Sequence, residues 1–188
     1  MWFDDDGWLS LPWVRRMPSP NQDARPMGTP IDTLVIHSIS LPERGRSTHF
    51  IEDLFLNRLD HKADPSFIEL VDLRVSSHFL IDRAGAVTQF VSCDSRAWHA
   101  GISSAMYRHN FNHFSIGIEL LGDVYTPFEQ AQYASLKKLV SELQRRYPLR
   151  YAMAHSEISP TRKTDPGPFF DWSGLRKSNT YELEKQTA

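Results

Sequence analysis

The chain has 188 residues, of which 40% are hydrophobic and 23% charged, and its formal net charge is −2. This length suits one domain with a sizeable core, and the balanced charge excludes the broad basic surface typical of nucleic-acid binding. No apolar run approaches the ~18 residues of a membrane span. We therefore expect a soluble domain that binds neither nucleic acid nor membrane.

Two features predict a reducing, cytoplasmic compartment. Cys93 is the single cysteine, so the chain forms no internal disulfide. The first ten residues, MWFDDDGWLS, begin acidic and lack the basic-then-apolar order of a signal peptide. A cytoplasmic monomer is the expected state.

The first third of the chain predicts an extended segment, a buried strand and a helix. Prolines throughout residues 1–30 indicate an extended N-terminal arm over the surface of the domain. Residues 33–40, TLVIHSIS, form the β-branched apolar run of a buried strand, with His37 near its exit. Residues 47–59 show helical apolar spacing after a Ser-Thr pair that can supply the N-cap.

The middle of the chain predicts a hairpin and then a strand that carries a carboxylate. Residues 76–92 contain two β-rich arms around DRAG at 82–85, whose glycine can adopt positive φ. Residues 113–122, HFSIGIELLG, predict a further strand in which Glu119 lies among apolar neighbours, where a carboxylate is costly unless it is paired or used. With period two, Gly117 shares the face of Glu119 and leaves room beside its carboxylate.

The last third predicts a helix, a short strand and a stiff loop. TPFE at 126–129 combines an N-cap, a first-turn proline and a capping-box glutamate. Residues 150–155, RYAMAH, predict a strand that ends in His155. RKTDPGP at 162–168 must be irregular, because proline lacks an N–H and restricts the residue before it.

Alternating strands and helices, together with one hairpin, predict an α/β (α+β) fold. We expect a mixed central β-sheet flanked by α-helices. The predicted domain covers residues 31–178, after the arm of residues 1–30 and before a C-terminal tail of residues 179–188.

Five residues could form a metal-dependent hydrolytic site. His37 and His155 lie at predicted strand ends, and Asp165 follows in the proline-rich loop. Two imidazoles and one carboxylate are the ligand set of an open zinc site whose fourth position holds water; a structural role for a lone histidine stays open. Glu119 could be the general base, with its pKa raised by burial, or a solvent-facing strand-end residue. Lys163 could reach the oxyanion of a tetrahedral intermediate.

These residues also match a known family. The motifs occur in order along nearly the whole chain: GW at 7–8, RxxPSP at 15–20, LVIHSISLP, VSSHFLI, RAWHAG, FSIGIEL and RKTDPGP with FDW shortly after it. With them the chain resembles the zinc-dependent N-acetylmuramoyl-L-alanine amidases of the AmpD type, which are related to the phage T7-type amidases and the peptidoglycan recognition proteins.

The resemblance implies a fold, a cofactor and a reaction. The family's metal ligands fall on His37, His155 and Asp165, with one catalytic Zn²⁺ per chain, and its catalytic pair falls on Glu119 and Lys163. The implied reaction is hydrolysis of the lactyl–L-alanine amide of muropeptides that carry 1,6-anhydro-N-acetylmuramic acid. The implied role is cytoplasmic peptidoglycan recycling, which in some bacteria also controls β-lactamase induction.

Four residues are candidate substrate contacts. Trp98 could stack on a sugar or lie in the core, and Arg74 could bind a carboxylate in bidentate fashion or be a surface arginine. Ser38 follows the first ligand, where close relatives have Asn, and Arg108 lies near Asn110, where relatives carry Arg. AHSE around the second ligand, where relatives read GHCD, is another departure. Such changes would alter affinity rather than reaction type.

Two other functions stay open. A non-catalytic peptidoglycan-binding module would keep the fold and lose a metal ligand, whereas the ligand set is complete here. An amidase acting on intact peptidoglycan in the periplasm would need export, against which the N-terminal composition argues.

Overall fold

A computed structural model, which describes residues 2–186, centres on a six-stranded sheet. In chain order the strands are β1 (Val14–Arg16), β2 (Gln22–Ala24), β3 (Thr33–Ile39), β4 (Phe79–Ile81), β5 (Val87–Gln89), β6 (Ser95–Ala97), β7 (Ser104–Ala105), β8 (Arg108–His109), β9 (Ser115–Leu121) and β10 (Tyr151–Ala154). The helices are α1 (His49–Phe55), α2 (Gln130–Arg146) and α3 (His155–Ile158), with 3₁₀ helices at Pro65–Leu70 and Phe111–His113.

The central sheet is mixed, as the sequence predicts. Its spatial order is β1-β5-β4-β9-β3-β10. All neighbouring strands in it run parallel except β4 and β5, which form the expected hairpin. At the hairpin turn Gly85 has φ +85°, and the Asp82 carboxylate accepts hydrogen bonds from the backbone N–H groups of Ala84 and Ala86.

Side chains of β3 and β9 alternate between two faces of the sheet. One face packs on α2 in an apolar cluster that includes Leu34, Ile36, Ile116, Ile118, Leu120, Leu136, Leu139, Val140 and Leu143. Full burial of each such side chain contributes roughly 1.5–3 kcal/mol. By alternation, His37 and Glu119 lie on the other face, part of which α1 covers with its buried side chains Ile51, Leu54 and Phe55.

Helix α2 begins three residues later than the sequence pattern predicts. Its N-cap is Glu129, whose N–H donates to the Gln132 side chain at 3.0 Å. Thr126, the predicted N-cap, is instead held by Asp123, whose carboxylate accepts from the Thr126 N–H and hydroxyl at 2.9 and 3.0 Å. Asp123 therefore binds the residue that the sequence pattern predicts as the N-cap, and the helix begins after it.

Three further predictions need adjustment. Helix α1 is shorter than residues 47–59 and ends before Asn57, which has φ +57°. His155 opens α3 and does not end β10. The N-terminal segment is more than a surface arm, because β1 joins the central sheet beside β5 and β2 pairs with β6.

The C-terminal segment returns to the edge of the sheet. The Ala152 N–H of β10 donates to the Tyr181 carbonyl at 2.9 Å, and Leu183 is buried. Residues 187–188 of the predicted tail lie outside the described residues, so the proposed boundary at 179 stays a prediction. Within residues 2–186, no helix combines the length and the apolar character that crossing a membrane requires.

Candidate metal centre and active site

The candidate site lies at the edge of the sheet where three parallel strands end. His37 of β3 is in register with Glu119 of β9, so both side chains lie on the same face. Ala154, the last residue of β10, pairs with Ile36, and the next residue, His155, therefore lies beside His37. Ligand sites of open α/β sheets lie outside the carboxyl ends of the strands, as here.

Three potential ligand atoms converge at this edge. The Nδ1 atoms of His37 and His155 are 2.9 Å apart, and Asp165 Oδ2 lies 3.3 and 3.1 Å from them. Two ligands about 2.0–2.1 Å from a tetrahedral zinc ion are themselves ~3.3 Å apart. The spacing and the donor types therefore fit a zinc ion held by these three residues.

The RKTDPGP loop is held by hydrogen bonds at Asp165 and at the two residues Arg162 and Lys163 before it. The Ser156 N–H donates to the Asp165 carbonyl at 3.0 Å, and the Lys163 N–H donates to the Ser159 carbonyl at 2.9 Å. The Arg162 guanidinium donates to the Ala100 carbonyl at 2.9 Å. These contacts present the Asp165 carboxylate to both histidines in a defined orientation.

Burial and neighbouring groups set the protonation states of His37 and Asp165. Burial, together with the nearby His155, lowers the pKa of His37 to about 4. Burial alone would raise the pKa of Asp165, but its close contacts with the His155 and His37 imidazoles hold it well below its ordinary value. At neutral pH the site therefore presents a neutral His37 imidazole and an ionised carboxylate, which are the forms that bind zinc.

Glu119 is the buried carboxylate beside these residues. The residue is 8% exposed, and Oε1 lies 4.0 Å from His37 Nδ1. Oε2 has no hydrogen-bond partner among the residues that the structure describes. Burial, reinforced by the negative charge of Asp165, raises the pKa of Glu119 well above its ordinary value. A carboxylate of this kind can accept a proton near neutral pH.

A cavity of about 410 Å³ opens onto this cluster. The described residues that line it include Glu119, His155, Asp165, Lys163, Trp98, Arg74 and Ser38. Trp98 is half-buried and Arg74 is exposed, so a ligand in the cavity could contact both. A larger cavity of about 490 Å³ lies between Trp13 and His49. Its lining includes the Arg15–Glu52 ion pair, but neither Glu119 nor any of the three potential ligands.

Arg108 does not belong to this site. Its guanidinium binds the Asp32 carboxylate at 3.0 Å and lies 3.6 Å from the centroid of the Phe114 ring. Asp32 precedes β3, so this ion pair lies at the end of the sheet opposite His37. The structure therefore does not support the predicted contact between Arg108 and a substrate.

The sequence analysis did not identify the groups that contact the Nε2 atoms of His37 and His155. His99 Nδ1 lies 2.9 Å from His37 Nε2, and His155 Nε2 lies 3.2 Å from the Ala100 carbonyl oxygen. A Cβ atom on Gly117 would lie 2.5 Å from His99 Cγ. The glycine therefore makes room for the His99 ring, rather than for the Glu119 carboxylate as expected. HAG within RAWHAG was the only sequence signal for these groups.

The metal-free protein should be less stable at pH 5 than at pH 7. With a pKa of about 4 when folded and an ordinary value of 6.5, His37 binds more protons in the unfolded state between these values, so unfolding becomes easier as pH falls. At pH 5 this contribution is roughly 2 kcal/mol. Burial also lowers the pKa of His78 and His99, so these residues add to the loss of stability at low pH.

Glu119 has the opposite effect. Because its pKa is raised in the folded state, its contribution to the free energy of unfolding falls as pH rises. Urea unfolding at both pH values, in wild type and Glu119→Gln, measures the two effects. The variant should show the larger difference between pH 5 and pH 7. Equal stability of Glu119→Gln at both pH values would contradict the assignment of neutral buried imidazoles, because this variant lacks the opposing carboxylate.

An open His-His-Asp set beside a buried carboxylate, at the end of a mixed sheet, is the arrangement of a metal-dependent hydrolase. Comparison with known proteins identifies the family. The model of the N-acetylmuramoyl-L-alanine amidase family matches residues 27–168. The chain belongs to this family, which confirms the resemblance and the predicted amidase class.

Individual relatives agree with this assignment. The 1,6-anhydro-N-acetylmuramyl-L-alanine amidase AmpD of Citrobacter freundii is 44% identical over 184 residues, which cover 97% of this chain and 97% of the relative. A crystal structure of a selenomethionine AmpD derivative matches with a TM-score of 0.84 and 45% identity, covering 92% of this chain and 96% of that chain.

Two more distant structures share the fold. The Escherichia coli amidase AmiD, in complex with anhydro-N-acetylmuramic acid-L-Ala-D-gamma-Glu-L-Lys, matches with a TM-score of 0.57 and 30% identity, covering 79% of this chain and 58% of that chain. The Drosophila peptidoglycan recognition protein SA has a TM-score of 0.57 at 20% identity, covering 82% and 85%. The predicted fold class is therefore confirmed.

Proposed function

We propose that the protein uses one Zn²⁺ per chain to hydrolyse the amide between the lactyl group of 1,6-anhydro-N-acetylmuramic acid and L-alanine in muropeptides. The observation that carries this proposal is the convergence of His37, His155 and Asp165 beside the buried Glu119. The name of the AmpD relative and the ligand of the AmiD complex support this substrate class.

Each residue of the site has a proposed part in the reaction. His37, His155 and Asp165 would hold the zinc ion, which when bound polarises the amide carbonyl and acidifies water. Glu119 takes a proton from the attacking water as its oxygen bonds to the carbonyl carbon. Glu119 then gives the proton to the amine of L-alanine as the C–N bond breaks. The lactyl carboxylic acid that remains loses its proton to water and becomes a carboxylate. Lys163 donates to the carbonyl oxygen while that oxygen gains negative charge.

The cavity lining suggests how substrate is held. We assign the half-buried Trp98 to the sugar face and the exposed Arg74 to a peptide carboxylate, for which a guanidinium gives a bidentate match. Ser38 lines the same cavity beside the first ligand. The proposal also includes a small muropeptide as substrate and a monomeric enzyme. The enzyme would act in cytoplasmic peptidoglycan recycling, with an effect on β-lactamase regulation.

The test is an assay on anhydromuropeptide beside intact sacculi, with and without a chelator. We expect cleavage of the small substrate, loss of activity on chelation, and recovery when about one zinc per chain is restored. A fully active metal-free enzyme would overturn the mechanism. Preference for sacculi would overturn the recycling role and favour the periplasmic alternative, whereas binding without cleavage would favour the non-catalytic module.

Replacing Lys163 by Met should reduce turnover without loss of metal. The substitution keeps an unbranched side chain and removes the ammonium group, and loss of one oxyanion donor costs about 10²–10³ in kcat. KM and zinc content should change little. Lys137→Met, on the exposed surface of α2, is the control. A lowered zinc content in Lys163→Met, or unchanged kcat, would contradict the oxyanion role.

A further inference from the structure

A chain of three buried side chains leads away from His37. His37 Nε2 lies 2.9 Å from His99 Nδ1, and His99 Nε2 lies 3.2 Å from Ser115 Oγ. Ser115 Oγ in turn lies 2.5 Å from the Phe111 carbonyl oxygen. His37 is 1% exposed, His99 8% and Ser115 0%. We call these three side chains the histidine relay.

The last link of the histidine relay determines where its protons lie. A carbonyl oxygen can only accept, so the Ser115 hydroxyl donates to Phe111 and uses its single proton there. Ser115 Oγ must then accept from His99 Nε2–H, which leaves His99 Nδ1 free to accept from His37 Nε2–H. The reverse order would leave two acceptor oxygens 2.5 Å apart without a proton between them.

This order of protons leaves His37 Nδ1 without a hydrogen, and Nδ1 is the atom that faces His155 and Asp165. His155 reaches the same state by a simpler route, because its Nε2 lies 3.2 Å from the Ala100 carbonyl, which can only accept. An imidazole, unlike a carbonyl, can donate or accept at either nitrogen. His99 accepts the hydrogen bond from His37, and its own tautomer is in turn determined by Ser115.

The fold holds the His99 ring in one place. Asn112 Oδ1 accepts from the backbone N–H of His99 at 3.2 Å and from that of Ala100 at 2.8 Å. Gly117 of β9 provides the space for the ring, because a Cβ there would lie 2.5 Å from His99 Cγ. The His78 ring packs edge-on against His99, with centroids 5.6 Å apart.

We propose that His99 is a positioning residue which, with Ser115, holds His37 in the Nε2–H tautomer and so keeps Nδ1 available for the metal. This inference rests on the proposed function, because it assigns His37 to a zinc ion. His99 contacts His37 at Nε2, and not at the proposed ligand atom Nδ1, although it also lines the active-site cavity. Metal affinity, rather than turnover, is therefore the property that isolates its effect on His37.

Zinc affinity, measured by competition with a chromogenic chelator, tests the proposal without reference to activity. His99→Leu fills the space but cannot accept, and we expect a 10–100-fold loss of affinity. His99→Asn places an amide oxygen near the position of Nδ1. The zinc affinity of this variant should be within about threefold of wild type, a much smaller change than the loss expected for His99→Leu. Ser115→Ala should fall between them, because His99 can then adopt either tautomer.

Nitrogen-15 NMR of the zinc-free protein provides a direct second measurement. Wild-type His37 should carry its proton on Nε2, and Ser115→Ala should move part of the population to Nδ1. This readout decides the question even if His99→Leu does not fold. A wild-type His37 protonated on Nδ1, or equal zinc affinities of His99→Leu and wild type, would overturn the inference. Wild-type protein that binds no zinc would instead overturn the proposed function.

Discussion

Glu119→Gln is expected to lose ~10²–10⁴-fold in turnover, because it removes the group that accepts the proton of water. The amide has nearly the shape of the carboxylate, and the residue is not one of the three proposed ligands, so zinc content should be unchanged. Anhydromuropeptide turnover and metal analysis on the same sample test both parts. Wild-type turnover would exclude Glu119 as the general base.

The same variant should be more stable than the wild type in the metal-free state at pH 8. Glu119 Oε2 has no partner among the described residues, and burial beside Asp165 penalises the charged form. The ionised carboxylate is therefore unfavourable in the folded state, and we expect the free energy of unfolding of the variant to exceed that of the wild type at pH 8. Urea titration of both proteins measures the difference.

Glu142→Gln is the matched control. Glu142 is also buried, but its carboxylate accepts from Arg145 at 3.1 and 3.2 Å. Neutralising a paired carboxylate removes a favourable contact, so this variant should be no more stable than wild type. If both variants gained stability equally, the gain could not be assigned to the isolated position of Glu119.

Asp165→Ala is expected to lose both zinc and activity. It removes the one anionic ligand and leaves two neutral imidazoles, so zinc affinity should fall by more than ~100-fold, beyond the loss from outer residues. Zinc at 1,000 times its Kd stabilises a protein by ~4.1 kcal/mol. The wild type should therefore melt at a higher temperature with zinc. At the same zinc concentration a 100-fold weaker site is stabilised by only ~1.4 kcal/mol, so the zinc-dependent shift of the variant should be at most about a third of that of the wild type.

Calorimetry with and without zinc measures this difference. Asp171→Ala is the control, because Asp171 lies in the same C-terminal segment, is exposed and caps the backbone N–H of Ser173. It should keep both the zinc-dependent shift and turnover. A full zinc-dependent shift in Asp165→Ala would show that the metal binds elsewhere.

Sequence patterns were sufficient where neighbouring residues decide the structure. The apolar runs of β3 and β9 predicted strands because burial on both faces of a sheet favours uninterrupted apolar residues. The pattern was wrong at Thr126, whose N–H and hydroxyl donate to Asp123, while Glu129 and Gln132 form the capping box of α2. Local propensity does not include that competition.

Distant contacts explain the other differences. Arg108 pairs with Asp32, 76 positions away in the chain, and His99 reaches His37 across 62 positions. The sequence shows a guanidinium and an imidazole in each case, but their partners depend on which strands become neighbours. Gly117 likewise was recognised as a small residue, while the ring that occupies its space was not.

The sequence by itself determined the family, the mixed fold and the identities of the proposed ligands, because these follow from motif order, apolar periodicity and donor chemistry. Only the tertiary structure decided that His37, His155 and Asp165 meet within hydrogen-bonding distance, and which atoms of each face the others. It also decided that His99 contacts His37 and that Ser115 contacts His99. The physical reason is that strand register brings these groups together, and register depends on pairing between segments far apart in the chain.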